Sequence, residues 1–490
     1  MGNKRSSNLV WLQLLTVLSG VLLGGALVKA AETSGADAKA SLFLDWLHEG
    51  GADISGVALS DFIDGRPVSS LGACSQDGIS CYRGVVATQD ISAGATVVSI
   101  PLNLGVYDFD GAAGLPEPYA ESIPETRLAA WLCRQRSLGS TSRFAPYLDM
   151  LPKAIPMPLF YQNKEAEAAA LLPCHAGMQE LLNWTRDEFD KSNPDALGGA
   201  SFVTFKWAFA IVLSRTFETR VLLGGSEDGA LSAMIMMLPF ADMINHSPHN
   251  QLVWQLDDGG QRFEMTATRD IAKGEEVFTT YGSKTNEQWL LYYGYVPEDN
   301  PADRMPLFDT YEDAAAWYIQ SRPPPHTAPS AKKVTAAIAA AVKAAQETLS
   351  DETDEGLALS EKEADKRLWA IFATLWVHLD SKNELGYACS QSVSLWSFRR
   401  RSECEVIAGL AAQRALIRLY KSTLERFDES VVKLRRQIKR FGRGKGAVYT
   451  NLQVLERYAL QRKELVERAL AIVQQGVADE ELKRKTSKEL

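Results

Sequence analysis

Residues 241–250 read ADMINHSPHN, and three readings of them compete. Asp242, His246 and His249 stand at i, i+4 and i+7, the spacing that stacks metal ligands on one face of a helix. Asn245 beside His246 is alternatively a polar pair able to hold a cofactor, or part of a loop that is merely polar. Pro248 falls between His246 and His249 and breaks any helix there, so the ligand register cannot persist. A metal would also need further ligands, and His48, His175, His326 and His378 are scattered with no carboxylate motif beside them. No metal is expected. His249 drops out as a surface residue, and Asp242, Asn245 and His246 remain as a cluster that needs partners from elsewhere.

Two other stretches offer them. In CYRGVVA (81–87), Gly84 leads into a β-favouring run, where a missing side chain lets backbone approach a ligand. In TTYGSKTNE (279–287), Tyr281 precedes Gly282, a place from which a hydroxyl projects into a cleft or packs at a domain seam. Each is ordinary alone. A repeat flanks both: ATQDISAGATV at 87–97 and ATRDIAKGEEV at 267–277. Each copy reads as a β-favouring run, a glycine turn and a second apolar run, so two similar hairpins from distant parts of the chain are expected to pack together.

Helical spacing begins near Ser41 with Leu42, Phe43, Trp46 and Leu47, and recurs around 127–136, 164–172, 178–189 and 202–217. After Asp303 the composition shifts. SRPPPHTAPS (321–330) is a breaker, 336–345 an Ala-rich helix, and the chain from about Ser360 is helical almost throughout. With 490 residues, two or three domains are expected. A net charge of -9 argues against a dedicated nucleic-acid binder, whose domain would be strongly basic. The basic run from Lys433 to Lys445 suits an acidic partner, although such runs are more often solvated helix faces. A monomer is expected.

None of the six cysteines forms a CxxC or CxC pair, so structural zinc is not indicated. Cys74 and Cys81 are close enough to bridge in an oxidising compartment, and the others read as buried thiols. Residues 1–31 place Lys4 and Arg5 before an apolar run from Val10 to Val28. That is the layout of a secretory signal peptide, with an uncleaved membrane anchor as its rival. The endomembrane or secretory pathway, a membrane-anchored state or an organelle such as the plastid is the expected location.

Taken together, RGVVATQDISAGATVVSIP (83–101), RFAPYLDMLP (143–152), FKWAFAIVLSRTF (205–217), ADMINHS (241–247) and TTYGSKTNEQWLLYYGYV (279–296) resemble a SET-domain protein methyltransferase. The resemblance, over about residues 40–480, is to the branch typified by the Rubisco large-subunit lysine methyltransferase. It implies an α+β fold: a SET domain of small sheets with a pseudoknot at 41–303, a long helical insertion at about 108–235, and an all-helical substrate-binding domain at 304–490. It further implies S-adenosyl-L-methionine as cofactor, held by Arg83, Gly84, Val85, Asn245, His246 and Tyr281, with Tyr281 catalytic. Ser214, Arg215 and Asp242 match positions whose carbonyls line the methyl-transfer pore, and Phe217 and Tyr293 match aromatic positions near the target side chain. The implied function is protein-lysine N-methylation. Phe217 favours lysine, because the family's histidine-methylating members carry an Asn there. Histidine methylation and a non-catalytic, membrane-tethered binding module are the alternatives.

Overall fold

The computed structural model describes residues 36–63, 65–68, 71, 81–108, 122–192, 197–222, 231–257, 259–322, 329–347, 357–360, 366–380, 403–441 and 447–489. Cys74, Cys389 and the apolar run of residues 10–28 lie outside them. Among the described residues no helix is long and apolar enough to cross a membrane.

Small antiparallel sheets make the β part. Val57–Ile63 pairs along its whole length with Cys81–Ala87, running from Val57 opposite Ala87 to Ile63 opposite Cys81. Arg262–Ala267 lies between Thr96–Pro101 and Leu252–Leu256. Leu231–Met237 lies between Val106–Tyr107 and Thr216–Leu222. Among the described residues one pair is parallel; it is short and joins Asn245–His246 to Phe278–Thr279.

The two repeat copies do not close as separate hairpins. Cys81–Ala87 pairs with Val57–Ile63, and Thr96–Pro101 pairs with Arg262–Ala267. The turns instead exchange hydrogen bonds with one another. Ile91 and Ile271 each donate to the other's carbonyl at 2.9 Å. Gly94 N–H donates to Ala267 O and Gly274 N–H to Ala87 O, both at 2.8 Å. Asp90 Oδ1 accepts from Lys273 N–H and Asp270 Oδ1 from Ala93 N–H, again both at 2.8 Å. Equivalent positions thus serve each other, giving a local two-fold arrangement. The reason is geometric: each Asp reaches the N–H three residues after its counterpart in the other copy, and a donor bonded across the pair needs no partner in its own copy.

Helices cover this frame. Phe202–Arg215 starts at Ser201, whose hydroxyl accepts the Thr204 N–H, and buries Phe205, Trp207, Phe209, Ile211 and Val212. A helix apolar around most of its girth belongs in a core. It packs with Pro124–Leu138 and residues 36–49 over the sheets. A second core joins 157–181, the Asn286–Tyr293 helix and residues 431–459. A third fills the C-terminal region. That region is helical, with one strand pair, Arg304–Phe308 against Leu357–Ser360, which the sequence reading did not anticipate. Its two long helices, Glu403–Phe441 and Ala447–Glu489, run antiparallel for roughly 60 Å at 1.5 Å per residue. The ion pairs Arg414–Glu481, Lys463–Asp428 and Arg435–Glu456 mark their register.

Cys133 and Cys174 are buried free thiols, as expected, and burial pushes both thiols up. Cys81 is disulfide-bonded.

The exchange of turn bonds makes a prediction. Asp90→Ala and Asp270→Ala should each cost about 0.5–1.5 kcal/mol, the worth of one such hydrogen bond, and by similar amounts, measured by urea denaturation. A loss confined to one of the two would contradict the reciprocal arrangement.

Candidate functional site

The cluster at 241–250 is not a helix. Residues Ala241–Met243 form a single 3-10 turn, entered through Phe240 with φ at +75°, a strained value for a bulky residue. Asn245–His246 is then a strand, and Pro248 and His249 are exposed. The three residues that shared a metal-like spacing face different partners.

Asp242 is buried, and one oxygen of its carboxylate is engaged as well as its backbone, while Oδ1 has no hydrogen-bond partner among the described residues. Tyr147 Oη donates to its Oδ2 at 2.6 Å, and Arg215 Nη1 reaches its carbonyl at 2.8 Å and Oδ2 at 3.4 Å. Burial raises the Asp242 carboxyl above its usual range, and Arg215 pulls against that shift. The same burial raises Tyr147. The sequence reading assigned Asp242 chiefly a carbonyl role and did not single out Tyr147.

Asn245 uses both amide hydrogens, donating at 2.9 Å to Arg83 O and at 2.9 Å to Glu276 Oε1. Glu276 Oε2 accepts from Tyr82 Oη at 2.8 Å, and Tyr82 stacks on Phe62 at 5.4 Å. Gly84 has no room for a side chain, since a Cβ there would lie 2.5 Å from Glu276 Oε1 and 2.8 Å from Asn245 Nδ2. Arg83, Gly84 and Asn245 are therefore brought together, as expected, with Val85 buried alongside. Glu276 is the residue that sequence reasoning missed. Its signal is the repeat itself: the first copy has Thr96 where the second has Glu276, a charge at the start of an apolar run.

His246 Nδ1 accepts the Tyr281 N–H at 3.1 Å, and its ring stacks on Trp289 at 4.4 Å. Burial, helped by the charge of Lys284, lowers its pKa from 6.5 to about 4, so the ring stays neutral. Tyr281 Oη donates to Ile244 O at 2.8 Å, and burial pushes its pKa up to about 12. Tyr293 stacks on Tyr281 at 5.2 Å. Lys284, also missed, donates to Tyr281 O at 2.6 Å and lies 5.9 Å from the Tyr293 ring centroid. Its pKa is lowered by burial.

The remaining expected residues sit less directly. Ser214 Oγ bonds back to Ala210 O at 2.9 Å. Phe217 makes its ring contacts with Trp254 and Phe263, at 5.7 and 5.0 Å. Tyr293 is thus the aromatic neighbour of Tyr281, whereas Phe217 is anchored in the sheet. Among the described residues no group of His, Cys, Asp and Glu is arranged to hold a metal ion.

The elements that meet here span one family model, described as SET domain, which matches residues 82–282. The chain carries a SET domain. A ribosomal lysine N-methyltransferase of Schizosaccharomyces pombe is 25% identical over 242 residues, covering 48% of this chain and 43% of that protein. An actin-histidine N-methyltransferase of Drosophila melanogaster is 24% identical over 290 residues, covering 54% and 50%. The chain therefore spans about half the length of these relatives. A crystal structure of the SET domain of LSMT bound to methyllysine and AdoHcy matches with a TM-score of 0.58 at 16% identity, over 90% of this chain and 93% of that one. The likeness in fold thus reaches beyond residues 82–282 and takes in much of the helical C-terminal region.

Within the SET domain, two measurements follow from the geometry. Gly84→Ala should destabilise by about 1–3 kcal/mol, the usual cost of overpacking, because Asn245 or Glu276 must move. Denaturation unchanged from wild type would show that this space is not filled. The depressed pKa of His246 sets the sign of the second. The unfolded chain takes up this proton below about pH 6.5 and the folded one only near pH 4, so stability is full above 6.5 and falls towards 4. His246→Asn should lose this part of the acid sensitivity, so its unfolding free energy draws closer to wild type as pH falls through that window. Parallel profiles would contradict the assignment.

Proposed function

We propose that this protein is an S-adenosylmethionine-dependent protein-lysine N-methyltransferase. The observation that carries the reading is the meeting, inside a SET domain, of Tyr281 with the Asn245–His246 strand and the Arg83–Gly84 backbone.

The residues fit the cofactor. With both amide hydrogens of Asn245 committed to Arg83 and Glu276, its Oδ1 is held as an acceptor for a ligand's ammonium or amine hydrogens. His246 is half-buried, neutral and fixed by Tyr281 and Trp289, so it presents a ring edge without a repelling charge. S-adenosylmethionine, when bound, supplies an electrophilic methyl group on a sulfonium. Arg83, Gly84, Val85, Asn245, His246 and Tyr281 are the residues proposed to hold it.

The chain's own residues must then accept a lysine as the neutral amine, its proton having been released to solvent. A free lysine side chain has a pKa of about 10.4 and is protonated at neutral pH. An apolar, aromatic seat beside Tyr281 and Tyr293 disfavours the ammonium, and Lys284 already experiences such a shift there. Tyr281 stays a neutral hydroxyl across the physiological range. Its oxygen orients an amine N–H, while the Ile244 carbonyl that it touches adds negative potential for positive charge arriving from sulfur.

The substrate is a protein. The name of one relative supports lysine and that of another supports histidine as the acceptor. Mass spectrometry of the methylated residue separates the two. We further propose that residues 1–31 direct or tether the enzyme to an endomembrane compartment, a reading supported by the disulfide at Cys81. Proximity labelling with an intact N-terminus tests it.

Tyr281→Phe should lower kcat by about 100-fold or more, as expected for loss of a transition-state contact. Calorimetry should find S-adenosylmethionine affinity within a few-fold of wild type. Turnover like that of wild type would remove Tyr281 from the mechanism.

A further inference from the structure

The Ala447–Glu489 helix turns three residues, spaced i, i+3 and i+4 on one face, into the segment that follows Tyr281. Tyr458 Oη donates to Glu287 Oε2 at 3.1 Å. Gln461 Oε1 accepts from Asn286 Nδ2 at 2.9 Å, and its Nε2 donates to Pro297 O at 2.6 Å. Arg462 Nη1 donates to Asp303 Oδ2 at 3.0 Å and to Arg304 O at 3.1 Å. Asp303 uses its other oxygen to accept the Asn286 N–H at 2.8 Å. Asn300 closes the cluster by donating to Asn286 Oδ1 and to Lys284 O, each at 2.8 Å.

Asn286 is the first residue of the helix that carries Trp289 and Tyr293. That helix already has a complete capping box through Thr285 and Gln288, so it needs no second anchor merely to form. The Arg462 side chain is fully buried. Burying an arginine is costly, and an apolar residue would join two helices at least as well. Buried ionic groups are better suited to fixing register than to adding stability. Here the register in question is that of two rings: Tyr293 against Tyr281 at 5.2 Å and Trp289 against His246 at 4.4 Å.

We propose that Arg462 is a positioning residue for methyl transfer, acting through Asp303 and Asn286 to seat Tyr293 and Trp289 beside Tyr281. The inference rests on the methyltransferase reading above. It separates the two sides of the site. On the cofactor side the hydrogen bonds of Asn245 to Arg83 and Glu276 do not pass through this helix and only the His246–Trp289 stacking does, whereas the acceptor side rests on it through Tyr293. A misplacement of about 1 Å at a reacting centre costs as much as 100-fold in rate.

The test uses the full chain, S-adenosylmethionine labelled in the methyl group, and a peptide library with a fixed central lysine. No transfer by wild type would overturn the methyltransferase reading itself. Given transfer, Arg462→Met should lower kcat about 10- to 100-fold and change the KM for peptide. Its S-adenosylmethionine Kd, by calorimetry, should weaken by no more than a few-fold, through the His246–Trp289 stacking, and by less than kcat falls. Adding Asp303→Asn to that variant should recover part of kcat, because it removes the carboxylate left unpaired. Kinetic constants within two-fold of wild type would overturn the proposal. So would a loss of cofactor affinity in step with turnover, which marks general damage. If Arg462→Met does not fold, Gln461→Ala removes only the contacts to Asn286, Pro297 and Glu298, and the same split in kcat and Kd is expected and decisive.

Discussion

The mutual hydrogen bonding of residues 87–95 and 267–275 is the constraint on which the site depends. Backbone donors in each turn are satisfied by the other copy, so neither turn is complete alone. Val277 N–H continues the pairing by donating to Val85 O at 2.8 Å, which carries Glu276 alongside Gly84. From there Glu276 takes one amide hydrogen of Asn245, and Arg83 O takes the other. Parallel pairing then sets Phe278–Thr279 beside Asn245–His246 and delivers Tyr281 to His246. One reciprocal contact thus converts three remote stretches into a single surface.

A second, electrostatic constraint closes the site from the helical side. Asp242 sits in low dielectric between Tyr147 and Arg215, where an unpaired carboxylate would be strongly disfavoured. Tyr147 comes from a short helix at 145–150 and Arg215 from the end of the central helix. Their shared anion ties both to the 3-10 turn that precedes Asn245. Phe240, which carries the positive φ, is fully buried in the core that also takes in Tyr147.

Much of this was legible in the sequence, and the limits have physical causes. Helices at 124–138, 175–190 and 202–215 follow from apolar spacing, because a helix face is written locally. The trio of Gly84, Asn245 and Tyr281 was recognisable by its motifs. The repeat was visible too, yet its two copies were expected to fold on themselves. Periodicity carries no information about which strand pairs with which. Glu276 and Tyr147 were missed for a related reason: each acts through a partner remote in sequence, Asn245 or Asp242. Phe217 was expected near the target side chain from its place in the motif; its ring lies against Trp254 and Phe263, an orientation that sequence order does not set.

The core shared by residues 157–181, 286–296 and 431–459 bears on how the protein is made. Asn286 meets Gln461, a residue 175 positions later, so on the ribosome the Asn286–Tyr293 helix waits for its final anchor. At about 5–20 residues per second the wait lasts roughly ten seconds or more. During that interval Leu290, Leu291 and Val296, all buried in the finished fold, lack part of their cover. The nascent chain therefore has a window in which its aromatic helix is exposed to chaperones, and the Ala447–Glu489 helix is what ends it.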